Sequence, residues 1–211
     1  MTELKWEPGI RAAEIGVAVK DGVVSLTGNV DSYSKKWAAA RAARRVAGVK
    51  SVTEDIKLSP PVSLKRADAD IALSATTTLY WNVMVPSDSV KVTARDGWLT
   101  LSGEVDFYYQ KNAAEDAVRH MVGVLGVINR ITIKPPTPIV NAPELKNGIA
   151  GALKRNARLL KVAEKIKVEV SGSKVILSGS VGSWADREEA EYAAFCAPGI
   201  SEVDNRLTVT D

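Results

Sequence analysis

The sequence predicts an α+β protein made of three tandem α-β-β-α-β units, each a small mixed three-stranded sheet with two helices packed on one face. One observation is a Leu-x-Gly-x-Val phrase that occurs three times at nearly equal intervals, around Gly28, Gly103 and Gly179. Another is a second glycine at the same distance after each of these, at Gly48, Gly123 and Gly199. Because each copy of an internal repeat must be one structural unit, a residue present in all copies is expected to serve the fold.

Two proline-rich joints divide the chain into units at about 1–58, 66–134 and 142–211. The joints read Ser59-Pro60-Pro61-Val62-Ser63 and Lys134-Pro135-Pro136-Thr137-Pro138. Neighbouring prolines favour polyproline II, so the joints are expected to act as short, semi-rigid spacers. The sequence leaves open whether the units form a ring-like cluster or an open string, although short joints favour close contact.

The first helix of each unit is predicted at about 68–80 in unit 2 and 143–157 in unit 3. The same offset in unit 1 falls before Met1, so this helix is expected to be truncated there. We therefore expect unit 1 to be less stable than the other two, or to borrow packing from a neighbour.

Two strands follow, separated by Asp21-Gly22, Asp96-Gly97 or Gly172-Ser173. Asp-Gly between alternating apolar runs predicts a tight hairpin, and the Gly-Ser turn predicts a different hairpin in unit 3. In unit 1 the inward side chains are expected to be those of Val17, Val19, Val24 and Leu26.

The second helix is predicted at roughly 33–47, 108–122 and 184–197. A stripe of mostly small residues marks its inward face, since the spacing of three, one and three falls on one side of a helix. In unit 1 the stripe is Ala39, Ala42, Ala43 and Val46.

The repeated phrases resemble the BON domain, a bacterial module named for osmotic-shock and nodulation proteins. The resemblance rests on the run VKDGVVSLTGNV from Val19 to Val30, on DGWLTLSGEV from Asp96 to Val105, and on the spacing of Val203, Asn205, Leu207 and Val209. It implies an α-β-β-α-β sandwich that binds rather than catalyses. Relatives associate with anionic phospholipid or assist envelope proteins during stress.

Composition agrees with a soluble, non-enzymatic protein. The net charge of +3 is too small to indicate a nucleic-acid partner. No apolar run approaches the length of a transmembrane helix, and the N-terminus has no signal-peptide pattern, so we expect a cytoplasmic protein, or a periplasmic one if a leader has been removed. The single His120 and the single Cys196 share one repeat position with Arg45, which favours a structural or surface role for each of them. No metal, cofactor or catalytic residue is predicted.

Aromatic residues stand at the start of the second helix in every copy, at Tyr33, Tyr108 and Trp184. One interpretation is a staple that pins the helix to its own sheet. The other is a binding surface for a membrane or a peptide, to which Trp37 and Phe107, each found in one copy, would contribute.

Charge differs between the copies. The second helix of unit 1 is basic, through Lys35, Lys36, Arg41, Arg44 and Arg45, and the corresponding helix of unit 3 is acidic. A basic helix beside aromatics is typical of elements that bind anionic lipid headgroups. The leading hypothesis is therefore peripheral association with anionic phospholipid through unit 1. The alternatives are a solvated or internally paired face, and a protein–protein module or stress chaperone that binds exposed peptide.

Overall fold

The computed structural model describes residues 1–136 and 141–210. Of the second predicted joint, Thr137 and Pro138 lie outside the described residues. Unit 1 consists of α1 (Thr2–Lys5), β1 (Ile15–Lys20), β2 (Val23–Val30), α2 (Tyr33–Arg44) and β3 (Ser51–Leu58). Unit 2 consists of α3 (Asp68–Tyr80), β4 (Val90–Arg95), β5 (Trp98–Val105), α4 (Tyr108–Val118) and β6 (Gly126–Ile133). Unit 3 consists of α5 (Ala142–Arg155), β7 (Ile166–Ser171), β8 (Lys174–Val181), α6 (Trp184–Phe195) and β9 (Glu202–Val209).

Each unit has the same three-stranded mixed sheet, with its second strand in the centre. The first two strands form an antiparallel hairpin, and the third pairs in parallel with the second after the crossover helix. The register is the same in all three sheets, since Ile15, Val90 and Ile166 each lie opposite the Leu-x-Gly glycine. The predicted α+β fold of three tandem units is confirmed.

The Leu-x-Gly glycine is required by a close approach of two backbones. Gly28, Gly103 and Gly179 have φ of +130°, +137° and +120°, a region that residues with a side chain rarely adopt. A Cβ at these positions would also collide with a backbone oxygen just before the first strand, that of Glu14, Ser89 or Lys165. The glycine thus serves packing in every copy.

The hairpin turns differ between the units in the predicted way. Asp21 and Gly22 have φ of +53° and +81°, and Asp96 and Gly97 have +50° and +76°, so both turns place two consecutive residues in the left-handed region. In unit 3 only Gly172 of the turn has a positive φ, +55°.

Each unit has its own hydrophobic core between sheet and helices. In unit 1, Val24 and Leu26 are buried as predicted, but Val19 is 66% exposed and Val46 is 42% exposed. These two inward predictions are wrong because α1 forms a single turn, whereas α3 and α5 have 13 and 14 residues that cover the equivalent surface.

Candidate functional site

The aromatic residue at the start of each second helix packs against the next unit. Tyr33 of unit 1 contacts the core of unit 2. Tyr108 of unit 2 stacks on Phe195 of unit 3, with ring centroids 3.7 Å apart and planes 3° apart. Trp184 of unit 3 contacts the core of unit 1 as well as its own. The predicted staple to its own sheet is therefore, in this molecule, chiefly a contact between units.

The residues that receive these rings also occupy one repeat position. Arg44, Arg119 and Phe195 are equivalent in the repeat and lie at the end of each second helix. The Arg44 guanidinium lies 5.5 Å from the Trp184 ring centroid. The pKa of Tyr33 is raised, mainly by burial of its hydroxyl and next by the negative charge of Glu115. The positive charge of Arg119 lowers the same pKa, which indicates that Arg119 lies near Tyr33. Each junction thus pairs the same two repeat positions.

These junctions run from unit 1 to unit 2, from unit 2 to unit 3, and from unit 3 back to unit 1. Head-to-tail contacts of one kind generate a closed ring when the rotation between neighbours closes. The question left open by the sequence is thereby answered in favour of a ring-like cluster. A ring closed by three junctions of one kind implies an approximate threefold relation between the units, which would place equivalent positions of the units at the same level along the ring axis.

Trp37 lies at the junction between units 1 and 2. The guanidinium of Arg119 is 4.4 Å from its ring centroid, that of Arg41 is 5.2 Å away, and the His120 ring meets it edge-on at 5.9 Å. His120 Nδ1 is also 3.1 Å from Ser34 Oγ. The single histidine therefore contributes to a contact between units, in keeping with its predicted structural role.

The cations predicted to attract lipid are mostly paired with carboxylates. Lys35 Nζ lies 2.7 Å from Asp31, and this bond holds the pKa of the Asp31 carboxyl below its usual value. Arg44 pairs with Glu54 at 3.1 Å. Arg45 pairs with two acidic residues of the N-terminal segment, at 3.2 and 2.9 Å. Arg41 is exposed and Lys36 half-buried. A lipid contact by this helix remains a prediction.

Phe107 lies on the edge of an aromatic cleft at the junction between units 2 and 3. Its ring stacks on that of Tyr109, with centroids 5.8 Å apart. The cleft has a volume of about 300 Å³, and its walls include Pro135, Tyr192 and Phe195. Among the described residues, no cluster of histidine, cysteine, aspartate or glutamate could hold a metal ion.

Sequence reasoning missed the most exposed aromatics of the molecule. Trp6 and Trp81 immediately follow the first helices of units 1 and 2, and each is 78% exposed. Val83, two residues after Trp81, is 96% exposed, and Tyr80 and Met84 are exposed too. The sequence contains a pattern that could have identified these two residues, because each tryptophan lies at the same distance before the Leu-x-Gly glycine of its unit.

We call the segments 6–10, 80–84 and 154–161, which follow the first helix or also include its last residues, the first-helix loops. In unit 3 this segment is cationic rather than aromatic, and Lys154, Arg155, Arg158 and Lys161 are all exposed together with Leu160. The three loops cover overlapping stretches of the repeat, so a threefold arrangement of the units would bring them to the same side of the ring. That side would combine two tryptophans and a small apolar patch with a cluster of cations.

None of the helices within the described part of the chain has both the length and the apolarity needed to span a bilayer.

Comparison with known proteins gives a family and one curated relative. The BON domain family matches residues 1–60, 67–135 and 143–211. Osmotically-inducible protein Y of Escherichia coli (strain K12) is 33% identical over 129 residues, which are 59% of this chain and 64% of that protein. The match thus spans less than two thirds of the relative's length.

Two solved structures of CdsD, a structural protein of the type III secretion system of Chlamydia trachomatis, are also similar. They cover 99% and 100% of this chain, and the chain covers 89% and 94% of theirs, each at 14% identity and a TM-score of 0.28. A TM-score this low carries no information on function. The three family matches cover nearly all of the sequence and coincide with the three observed units, so this protein belongs to the BON domain family as three tandem copies.

Proposed function

We propose that this protein is a non-enzymatic binding protein that associates peripherally with anionic phospholipid surfaces through its three first-helix loops. The observation that carries the proposal is the exposure of Trp6 and Trp81, which occupy equivalent positions of units 1 and 2. By its relation to an osmotically inducible protein, we further propose that this association belongs to osmotic or envelope stress.

The loop of unit 2 has the composition of an interfacial anchor. Tyr80 and Trp81 meet edge-on, with centroids 5.4 Å apart, and Val83 and Met84 extend the apolar surface beside them. Trp and Tyr favour the boundary between headgroups and acyl chains because one end of the ring system is apolar and the other polar. A cluster of exposed apolar side chains on a folded protein commonly marks an interaction site.

The loop of unit 3 would supply the electrostatic attraction. In the described part of the chain, none of Lys154, Arg155, Arg158 and Lys161 forms an ion pair with a carboxylate, in contrast to Lys35, Arg44 and Arg45 of unit 1. Each cation near an anionic surface contributes about 1 kcal/mol before screening. Unit 3 is therefore expected to contribute more than the basic helix of unit 1, whose charges are largely neutralised within the molecule.

The test is co-sedimentation with vesicles of phosphatidylcholine alone and of phosphatidylcholine mixed with phosphatidylglycerol, at low and physiological salt. We expect the protein to bind only the vesicles that contain phosphatidylglycerol. The bound fraction should be smaller at physiological salt than at low salt, because salt screens the attraction between charges. Trp81→Ser combined with Val83→Ser should reduce the bound fraction strongly, and Arg155→Glu combined with Arg158→Glu should abolish binding.

Two control variants separate the loops from the rest of the surface. Val62→Ser removes an exposed apolar side chain outside the loops and should leave binding unchanged. Lys35→Glu combined with Arg45→Glu alters the basic helix of unit 1 and should have the smaller effect of the two charge reversals. Equal binding to neutral vesicles, or full binding by the Trp81 and Val83 double variant, would contradict the proposal.

The aromatic cleft between units 2 and 3 favours a second candidate, binding of an exposed peptide in an extended conformation. Grooves lined by aromatic side chains bind polyproline II segments, and this cleft is lined by Phe107, Tyr109, Tyr192 and Phe195. This function predicts that the protein suppresses aggregation of an unfolded client in the absence of lipid. Tyr109→Ala and Tyr192→Ala should then abolish the suppression, while leaving vesicle binding intact.

A further inference from the structure

The sheet of unit 2 carries cations and an aromatic ring on the face that points away from its helices. Side chains alternate between the two faces of a strand, and three positions on each of β4, β5 and β6 form this side. The register places Arg95, Trp98 and Gly126 in one row across the three strands. Lys91 and Arg130 lie two rows away, on either side of a serine of β5, and two threonines and an isoleucine occupy the row between. We call these nine positions the outer face.

The repeat provides a comparison for the charge of the outer face. In unit 2 its nine positions hold three cations and no carboxylate. The equivalent positions hold one cation and one carboxylate in unit 1, Lys20 and Asp55, and three of each in unit 3. Because the same fold forms with balanced charge in two copies, the excess of positive charge in unit 2 is not a requirement of the fold.

The cations of the outer face are available to a ligand. Within the described part of the chain, no carboxylate lies within ion-pair distance of Lys91 or Arg130, and both residues are exposed. Arg95 lies 3.8 Å from Asp96 of the adjoining turn, and these side chains are 94% and 89% exposed. An ion pair this exposed contributes little free energy, so an anionic ligand can replace it.

Trp98 presents an aromatic ring beside these cations. A Cβ on Gly126 would collide with three carbons of its six-membered ring, so the ring fills the space that a side chain would need there. Trp98 is nevertheless 48% exposed. Unit 3 has Lys174 and Glu202 at these two positions, joined by an ion pair at 2.6 Å. The glycine of unit 2 therefore allows the ring to lie against the sheet with part of its surface open.

An exposed ring among cations has the chemistry that single-stranded nucleic acid requires. Bases stack on aromatic rings largely without regard to sequence, and neighbouring cations bind the phosphates. Arg95 lies in the same row as Trp98, and Lys91 and Arg130 lie about 13 Å further along the strands, since each residue of a strand rises about 3.3 Å. A single strand laid along β5 would meet a cation beside the stacked base and two more at the far end of the face.

A bilayer fits the outer face less well than a nucleic acid does. A ring that lies against the sheet cannot insert between lipid headgroups as the more exposed Trp81 can. The net charge of +3 gave no reason to expect a nucleic-acid partner, but composition does not reveal where charges of each sign lie on the surface.

We propose that the outer face of unit 2 binds single-stranded nucleic acid, with a base stacked on Trp98 and phosphates held by Lys91, Arg95 and Arg130. The site shares no residue with the first-helix loops, so it is independent of the proposed lipid contact.

The test is fluorescence anisotropy of the full chain with labelled oligomers of about ten nucleotides, one of deoxythymidine and one of uridine. Saturable binding of either is expected, and the pair distinguishes DNA from RNA. Three phosphate contacts predict a slope of about −2 for log affinity against log salt concentration, because each contact on a single strand contributes about −0.7. Arg130→Gln should reduce the magnitude of this slope by about 0.7.

The ring is tested by giving unit 2 the pair that unit 3 already holds. Trp98→Lys combined with Gly126→Glu leaves the net charge unchanged and should weaken binding at least about tenfold, through loss of stacking. Trp98→Phe keeps an aromatic ring and should retain most of the affinity. The slope of Arg130→Gln tests the site even if the double variant is unstable.

Two control proteins keep the result specific to the outer face. Arg206→Gln changes the residue equivalent to Arg130 in unit 3, where Arg206 pairs with Asp204 at 2.8 Å, and should leave the slope unchanged. Arg155→Gln combined with Arg158→Gln, in the first-helix loop of unit 3, should also leave it unchanged.

Four results would overturn the proposal. They are no saturable binding up to about 100 μM oligomer, full binding by the folded Trp98 and Gly126 double variant, a slope reduced by the Arg155 and Arg158 variant and not by Arg130→Gln, and displacement of the oligomer by an equal charge of poly-glutamate. The last would assign the face to acidic proteins, because poly-glutamate has no base to stack.

Discussion

Two groups of aromatic residues in this protein differ in both recurrence and exposure. Tyr33, Tyr108 and Trp184 occur at one position in all three units, and each packs into the neighbouring unit. Trp6 and Trp81 occur at a position that unit 3 does not fill with an aromatic residue, and each is largely exposed. The difference indicates that the first group serves assembly of the ring and that the second is available to a ligand.

The comparison predicts very unequal losses of stability when one tryptophan is removed from each group. Trp184→Ala should lower the free energy of unfolding by about 3 kcal/mol, because Trp184 contacts the cores of two units. Trp81→Ala should change it by less than about 0.5 kcal/mol, since the side chain is exposed. Urea unfolding of both variants is the measurement, and equal losses would remove the distinction between the groups.

A double-mutant cycle measures how strongly the second junction is held. Tyr108→Ala and Phe195→Ala should show a coupling free energy of about 1 kcal/mol, because the two rings stack closely across units. The exposed stack of Phe107 on Tyr109 lies within one unit and provides the matched control, with a smaller coupling. If the exposed pair couples as strongly as the pair that joins units 2 and 3, the stack of Tyr108 on Phe195 does not specifically stabilise the junction.

Alkaline pH should loosen the two junctions that contain tyrosine. Burial is the main cause that raises the pKa of both Tyr33 and Tyr108 above the ordinary value of 10.0. A raised pKa in the folded state means that stability is intact below pH 10.0 and is lost as pH rises through the folded-state pKa. Unfolding measured from neutral pH to pH 11 should therefore show a decline that is smaller in the Tyr33→Phe, Tyr108→Phe double variant. An identical decline in both proteins would assign it to other groups.

Much of the fold could be predicted because the repeat supplied an internal control. The glycines at 28, 103 and 179 were expected to serve packing, and each proves to face a backbone oxygen too close for a side chain. The different hairpin of unit 3 was also predictable, since Gly172-Ser173 cannot repeat the conformation of Asp-Gly at no cost.

The arrangement of the units could not be read from periodicity. The spacing of Tyr33, Tyr108 and Trp184 predicts that they are equivalent, but not that each ring reaches the end of the next second helix. Likewise Val19 has the alternation of a core residue and is exposed, because its burial depends on a helix that unit 1 has only as one turn. Ion pairs such as Arg45 with Glu7 join distant parts of the sequence, so the basic helix could not be recognised as partly neutralised.

The most direct test of the account is quenching of tryptophan fluorescence by brominated phospholipid in two single-tryptophan chains. One retains Trp81 and the other retains Trp184, with the remaining tryptophans replaced by phenylalanine. In anionic vesicles, Trp81 should be quenched and should shift its emission to the blue, whereas Trp184 should be unaffected. Quenching of Trp184 with no effect on Trp81 would contradict the account. It would show that lipid contacts the aromatic residues at the junctions between units instead of the first-helix loops.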